Sequence, residues 1–299
     1  MGIRAPMSET AAVCPVCSSP AQPAGSRVGK NIPDEFRFRH CPECRYSYIE
    51  NPCTKFELIY DEKYYRGQGA DPLLDYVNEL EHPNASVREY EWRGILSAVK
   101  ALVPLNAGTQ WLDFGCGNGG QVRYIRANSE CRAVGFEEGW IAERARASGI
   151  PLLKREDLSA YKGAFDIVSA IEVLEHIPNP LSVLKEIRSF LKPGGLFFLT
   201  TGNAAPHRAN LLKWGYVTPE IHVSFFEPET LERALKATGF RPEFKGALPG
   251  FMDIIRFKIL KNLGVRKRSI FEKVFPWPVL SRMANYRYKI TGHPVGWAE

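Results

Sequence analysis

With 299 residues, 44% hydrophobic and 24% charged, the chain has the composition of a soluble globular protein and the length for one large core plus attachments of roughly a third of the chain. No apolar run reaches the roughly 18–20 residues of a membrane span, and no apolar h-region precedes Cys14, so the expected location is the cytoplasm, with peripheral contact to a membrane through the basic end. The net charge of +6 is local: ten Lys or Arg stand against one acid between Arg256 and Lys289, and the remainder is slightly acidic.

Residues 1–55 carry Cys14-Pro-Val-Cys17 and Cys41-Pro-Glu-Cys44, two CxxC knuckles separated by twenty-three residues. Each knuckle aims two sulfurs at one ion, and two knuckles complete a tetrahedral thiolate site. The spacing predicts a zinc ribbon with a structural zinc, because four thiolates leave no position for substrate or water. Cys53 falls outside the pattern and reads as an ordinary thiol.

Residues 56–105 read as a linker and helical cap. Tyr64 and Tyr65 lie in a Tyr-rich stretch and either cover an active site, with phenols reaching cofactor or substrate, or dock the ribbon on the core. Apolar positions from Ser86 to Val103 recur at helical spacing, with Ser86 as N-cap and Glu89 completing a capping box.

Trp111 to Gly120 is an apolar run that ends in Asp113 and breaks into glycines. It reads as a buried strand entering a tight turn and a helix, with glycines where the backbone takes positive φ and meets a ligand. Gly115-x-Gly117-x-x-Gly120 also satisfies the dinucleotide fingerprint, so this stretch alone leaves two families open. Strand and helix patterns then alternate, the signature of a parallel sheet wrapped by helices. A second strand, Ala133–Glu137, ends in an acid placed to accept hydrogen bonds from ribose hydroxyls. Glu137 is the expected residue, with Glu138 one register away. A short third strand at 151–153 leads to Glu156-Asp157-Leu158. A fourth, Phe165–Ile171, precedes Glu172-Val-Leu-Glu175-His176, and a helix from Pro180 to Leu191 and a Lys-Pro-Gly-Gly turn precede a fifth at 196–200.

Asp113-x-Gly115-x-Gly117-x-Gly119, FDIVSAIEVLEHIPNP and LKPGGLFFLTT together resemble the signatures of class I S-adenosylmethionine-dependent methyltransferases over roughly residues 90–245. Dinucleotide-binding domains have no reason to carry both later motifs. The ribbon, the Asn51-Pro52 and the Tyr-rich stretch resemble a subgroup acting on sugars, glycans or secondary metabolites. The resemblance implies an α/β fold: a Rossmann-like, seven-stranded, mostly parallel sheet with helices on both faces, a small N-terminal zinc ribbon and a helical basic C-terminal extension. The sixth strand is expected near Arg241 to Leu248, and the core over 106–250. S-adenosylmethionine is the implied cofactor, and Asp113, Gly115, Cys116, Gly117, Gly119, Glu137, Asp157, Leu158 and Glu172 are the residues implied to bind it. Of these, Asp157 is implied to lie near the adenine amino group, and Asp113 to hold the turn or the ammonium.

Methyl transfer is an in-line displacement that relies on positioning, which supplies about 7–11 kcal/mol. A hydroxyl acceptor additionally needs a base, for which histidine suits neutral pH; His176 and His222 are the candidates, acting on a small-molecule, sugar or lipid- or nucleotide-linked glycan acceptor. If 172–177 is helical, Glu172, Glu175 and His176 share one face and with His222 resemble the catalytic divalent-metal site of RNA 2′-O-methyltransferases and some quinone-pathway enzymes. A non-catalytic scaffold needs a damaged cofactor motif, and this one is intact. The extension over 251–299 mixes apolar and basic residues as an amphipathic element that either contacts an anionic membrane surface or caps the core. Nucleic acid lacks support beyond charge.

Overall fold

The computed structural model describes residues 12–246 and 248–270 with Glu272, Pro276, Trp277 and Val279. They fall into two compact units: the described part of Met1–Cys53 with Leu174–Leu184 and Gly202–Pro242, and Thr54–Val173 with Lys185–Thr201 and the described residues from Glu243 onward. Among the described residues no helix is long and apolar enough to cross a membrane.

In the first unit, β1 (Ala12–Val13), β2 (Pro20–Val28), β3 (Glu35–His40) and β4 (Ser47–Ile49) form an antiparallel sheet. Alternation in β3 puts Phe36 and Phe38 on its buried face, as period-2 side-chain geometry requires. The outer edge of β4 is filled by a strand from far along the chain, β10 (Ser224–Phe225), with Ser224 opposite Tyr48 and Phe225 opposite Ser47. Phe38 and Phe225 stack with centroids 5.8 Å apart. The unit also holds the helix of Pro228–Ala237, which starts on proline and buries Thr230, Leu231, Ala234 and Leu235 along one side.

The second unit contains α1 (Glu62–Tyr65), α2 (Tyr76–Glu81), α3 (Glu89–Leu102), α4 (Gly120–Asn128) and α5 (Trp140–Ala147), together with α6 (Pro180–Phe190) from Lys185 onward. Its sheet is parallel, with β5 (Gln110–Phe114), β6 (Arg132–Phe136), β7 (Leu152–Leu153), β8 (Phe165–Ile171) and β9 (Leu191–Thr200) in the order β7-β6-β5-β8-β9. Both faces are covered, so β5 is buried from Trp111 to Phe114, and Trp111, Ala133 and Ile167 join Ile95, Val99 and Ile125 in one core. Strand order reverses beside β5, which makes the carboxyl ends of β5, β6 and β8 the crevice where ligands of open α/β sheets bind. Gly115, Glu137 and Glu172 are the residues that follow these three ends.

The structure corrects three expectations. Five parallel strands are present among the described residues; the stretch expected as a sixth is without a ladder, and Pro242 within it removes a donor a strand needs. The helix expected from Ser86 begins at Glu89 with Arg88 as N-cap and no capping box. Ser86 instead forms a β-bridge with Lys267, and its hydroxyl accepts from the Arg88 amide at 3.0 Å. Finally, residues 172–177 are not one helix, since only Leu174–His176 makes a 3-10 turn.

α7 is the helix of Pro228–Ala237 above, and α8 (Phe251–Asn262) opens the basic extension. It packs on α3, where a Cβ on Gly94 would stand 2.6 Å from the Gly250 carbonyl oxygen. Ile255, Phe257 and Leu260 are buried. Four of the described basic residues turn inward, while Arg266 and Lys267 stay exposed: Lys258 pairs with Glu172, Lys261 with Asp71 and Arg268 with Glu89, and Arg256 lies over the Tyr90 ring at 4.0 Å. These contacts favour a core cap over a membrane-facing surface for α8. Lys273, Arg282, Arg287 and Lys289 lie outside the described residues.

Candidate active site and cysteine centre

The turn after β5 takes left-handed φ at Gly115 (74°), Gly117 (55°) and Gly119 (72°), conformations open to glycine at little steric cost. The Gly115 and Cys116 amides donate to the Phe136 carbonyl at 2.8 and 3.1 Å, tying the turn to the end of β6. Glu137 follows that end, and its carboxylate accepts from the Gly117 amide at 2.8 Å and the Glu138 amide at 2.9 Å. Burial nevertheless raises its pKa above the usual value. A carboxylate has about four acceptor sites, so two remain for a diol such as ribose. Asp157 lies at the first turn of the 3-10 segment Arg155–Tyr161, where it accepts from the Lys154 amide, and Leu158 beside it is buried. Glu138 pairs outward with Arg155 at 2.7 Å.

Asp113 lies within β5, buried, and accepts from the Ser169 hydroxyl at 2.6 Å, while the Trp111 indole donates to the same hydroxyl oxygen at 2.8 Å. Burial pushes the Asp113 carboxyl up to about 7 against the pull of the Ser169 bond. Burial likewise drives the Cys116 thiol well above its ordinary range, which disfavours its thiolate.

Three partners of the turn carried no sequence signal. Asn118 accepts from the Gly120 amide and donates to the Tyr76 carbonyl at 2.9 Å and to Glu79 at 3.1 Å. Glu79 is held by Arg88, which also pairs with Glu91 at 3.0 Å. Tyr76 covers the turn, its ring carbon 3.1 Å from where a Cβ on Gly117 would stand. Tyr64 and Tyr65 join this layer: Tyr65 meets Tyr76 edge-on at 5.7 Å and stacks on Trp140 at 5.9 Å. Burial raises both phenol pKa values, so both remain protonated, as donors rather than bases.

Glu172 follows β8 with φ 54°. Its carboxylate accepts from the Thr200 hydroxyl at 2.9 Å and pairs with Lys258 of α8 at 3.1 Å. Burial pushes its pKa up, but the Lys258 ammonium outweighs this and brings it down to about 2. The two-Glu, two-His set expected from sequence therefore loses Glu172 to Lys258.

In the first unit, Cys14, Cys17, Cys41 and Cys44 place their sulfurs within 4.8 Å of one another, with Cys14–Cys44 and Cys17–Cys41 at 3.5 Å. Four thiolates about 2.3 Å from one zinc stand some 3.8 Å apart in a tetrahedron, so the donor set and spacing fit that ion. The Cys44 sulfur, with the Val16 amide, pulls the Cys14 thiol down to about 5.

The same unit gathers Glu175, His176 and His222, each offering a donor atom within 4.8 Å of the others. His176 Nδ1 lies 2.9 Å from the Ile221 carbonyl oxygen, and His222 Nδ1 is bonded to the Tyr216 carbonyl. A carbonyl only accepts, so each Nδ1 carries a proton. The rings lie 4.9 Å apart, Tyr216 stacks on His222 at 4.1 Å, and the Tyr216 hydroxyl donates to Glu175 at 2.6 Å. Tyr216 had no recognisable motif in the sequence.

Residues 86–243 match the methyltransferase domain family. A ubiquinone biosynthesis O-methyltransferase from Chromobacterium violaceum is 30% identical over 203 residues, 56% of this chain and 84% of that one. Another of the same name, from Albidiferax ferrireducens, is 34% identical over 122 residues, and the match spans 37% of this chain and about half, 48%, of that relative. Among solved structures, a SAM dependent methyltransferase from Archaeoglobus fulgidus superposes with a TM-score of 0.43 at 19% identity, over 52% of this chain and 69% of that one. The family match covers more than half of the chain and includes the glycine turn, the β8 end and the Lys-Pro-Gly-Gly turn, and on that ground the protein belongs to the methyltransferase domain family as an S-adenosylmethionine-dependent methyltransferase of class I.

Proposed function

We propose that the protein methylates a hydroxyl oxygen of a small-molecule acceptor, with His176 and His222 serving the acceptor and the glycine turn serving the cofactor. The observation that supports the reading best is the shared orientation: both imidazoles give their Nδ1 proton to main-chain carbonyls, so any proton exchange with an acceptor falls to Nε2. The relatives named as ubiquinone biosynthesis O-methyltransferases favour oxygen as the atom methylated and a phenolic acceptor as the first to try.

The cofactor supplies a methyl group on a positively charged sulfur. In this reading the chain's own residues bind and orient. Glu137 takes ribose hydroxyls, Asp157 and Leu158 flank the adenine, and Gly115, Gly117 and Gly119 pass the backbone along the amino-acid portion, with Asp113 balancing its ammonium. Tyr64 and Tyr65, with Tyr76, keep water from the turn. Glu172 holds the end of β8 through Thr200 and Lys258. His222 or His176 takes the acceptor's proton at Nε2, and Tyr216 orients Glu175 beside them.

Turnover of a panel of phenolic, sugar and glycan acceptors by wild type, His176→Ala and His222→Ala tests this. One variant is expected to lose about 10²–10⁴-fold in kcat with cofactor affinity by calorimetry unchanged. Wild-type turnover by both variants sinks the assignment.

A second reading draws on the same cluster: Glu175, His176 and His222 hold a divalent ion that lowers the acceptor hydroxyl's pKa. Two metals per chain, one lost in His222→Ala and required for turnover, would support it; one zinc with activity surviving mild chelation excludes it.

A further inference from the structure

The ribbon cysteines and the histidine pair lie in one compact unit, and a continuous set of hydrogen bonds runs from one to the other. The knuckle of Cys41 and Cys44 closes with the Arg45 amide on the Cys41 carbonyl at 2.7 Å and the Cys41 amide on the Tyr46 carbonyl at 2.8 Å. Tyr46, two residues past the last cysteine, is fully buried. Its hydroxyl lies 2.5 Å from the Ser224 hydroxyl, and the Ser224 hydroxyl donates to the Ile177 carbonyl at 2.6 Å. Serine has one proton to give, and it goes to the carbonyl, so Tyr46 is the donor to Ser224.

A backbone route runs alongside. The Ile49 amide of β4 donates to the Val223 carbonyl at 2.9 Å, and the Val223 amide donates to the Glu175 carbonyl at 2.7 Å. Val223 stands between His222 and Ser224 in the chain, and Glu175 and Ile177 flank His176. The two routes thus grip the neighbours of both histidines. A third tie, from the Thr230 hydroxyl of α7 to the Cys44 carbonyl, joins the knuckle to the helix that follows β10.

We propose that the cysteine ribbon is the positioning element for the histidine pair, with Tyr46, Ser224 and Val223 carrying the coupling from the Cys41–Cys44 knuckle to Glu175, His176 and His222. Its catalytic consequence depends on the histidine role proposed above; its structural content does not. A ribbon attached only to recruit a partner or to add stability needs none of these bonds. Here β10, which begins two residues after His222, pairs among the described residues with β4. A strand of two residues is shorter than the usual length of about 3–10, so the segment just after His222 leans on its partner β4 in the ribbon. The zinc-binding residues act through Tyr46 and Ser224 and touch no reacting atom.

The test uses the zinc-loaded full chain with nitrogen-15 histidine, its His176 and His222 signals assigned with His176→Gln and His222→Gln. In wild type both rings are expected to show the fixed Nδ1–H tautomer. Tyr46→Phe and Ser224→Ala are expected to replace that pattern with tautomer-averaged signals for these two rings and leave His82, in the other unit, unchanged. Ser224→Thr, which keeps the hydroxyl, is expected to restore it. Turnover should fall about ten-fold in Tyr46→Phe, in line with the loss of one buried hydrogen bond, with calorimetric cofactor affinity unchanged. Should Tyr46→Phe not fold, the Ser224→Ala and Ser224→Thr pair decides alone. Unchanged His176 and His222 signals in a folded Ser224→Ala overturn the proposal, as does an equal change at every histidine, which marks general loosening. Altered signals with wild-type turnover support the coupling and remove the histidines from catalysis, so the two ideas fail separately.

Discussion

Replacing Lys258 by Met keeps the aliphatic stem and removes the ammonium that faces Glu172 at 3.1 Å. The two side chains are 22% and 28% exposed, which leaves solvent little share in screening them. The Glu172 carboxyl is lowered from 4.5 to about 2, a depression that corresponds to about 3 kcal/mol of charge-dependent stabilisation. A depressed carboxylate contributes fully above its unfolded value near 4.5 and loses that contribution as pH falls toward 2. In Lys258→Met burial, the largest influence on Glu172, is opposed only by Lys261 and the Thr200 hydroxyl, and the Glu172 carboxyl moves up instead. Its folded form then holds a proton that the unfolded chain releases, so stability falls as pH rises. Both effects widen the gap between the proteins with rising pH. Urea unfolding at pH 3 and pH 8 should show a loss of at least about 3 kcal/mol at pH 8 and clearly less at pH 3. Adding Glu172→Gln should recover most of it, because an uncharged pair leaves no buried lone charge. A loss below about 1 kcal/mol at pH 8, or one of equal size at both pH values, would show that the pair is a solvated surface contact and that α8 is not an electrostatic part of the β8 end.

Asp113, raised to about 7 by burial, is half-protonated near neutrality, so affinity for the cationic cofactor should climb up to about ten-fold per pH unit below 7 and level off above it. Asp113→Asn should flatten that profile in calorimetry and, because a raised acid destabilises the fold as pH rises from 3.8 through 7, should unfold at higher urea than wild type at pH 8; a steep profile in the variant refutes the role. Atomic absorption should find zinc held by the four cysteines, with Cys41→Ser and Cys44→Ser losing it and the fold of the first unit together, since such sites contribute about 10–16 kcal/mol; a folded, metal-free variant with native circular dichroism counts against a structural ion. Asn118→Ala removes three bonds that clamp the glycine turn and should weaken cofactor binding by about ten-fold; unchanged binding means the turn is held by its backbone alone.

How far each part was legible in sequence follows from how local its physics is. β5, β6 and β8 announce themselves because strands buried on both faces are mostly apolar, and the turn after β5 because three positive φ angles within five residues leave little choice but glycine. The knuckles are visible for the same reason: two sulfurs reach one ion only at close spacing. Helical geometry misled at Glu172, where i, i+3, i+4 spacing fits a helix that the residue's own φ of 54° excludes. Nothing within six residues of Glu172 forecasts Lys258, which arrives from 86 positions later. The Ser86 capping box failed likewise, through pairing with Lys267.

The histidine cluster shows why a site can be half-read. His176 and His222 were nameable because imidazole is the side chain suited to proton transfer near neutral pH, but their surroundings are mostly main-chain: the Ile221 and Tyr216 carbonyls set the tautomers, and the Val223 amide grips Glu175. Every residue but proline owns an amide and a carbonyl, so such contacts leave no trace in residue type. The strand that places them is two residues long and pairs with a partner some 176 positions away, below any periodicity that a window can detect. Ser224 and Tyr46, the side chains that do carry a signature, look like ordinary packing residues until their hydroxyls are seen together. A ribbon read as an appendage is therefore the reading sequence favours, and the pairing of β4 with β10 is the feature that makes it part of the histidine site instead.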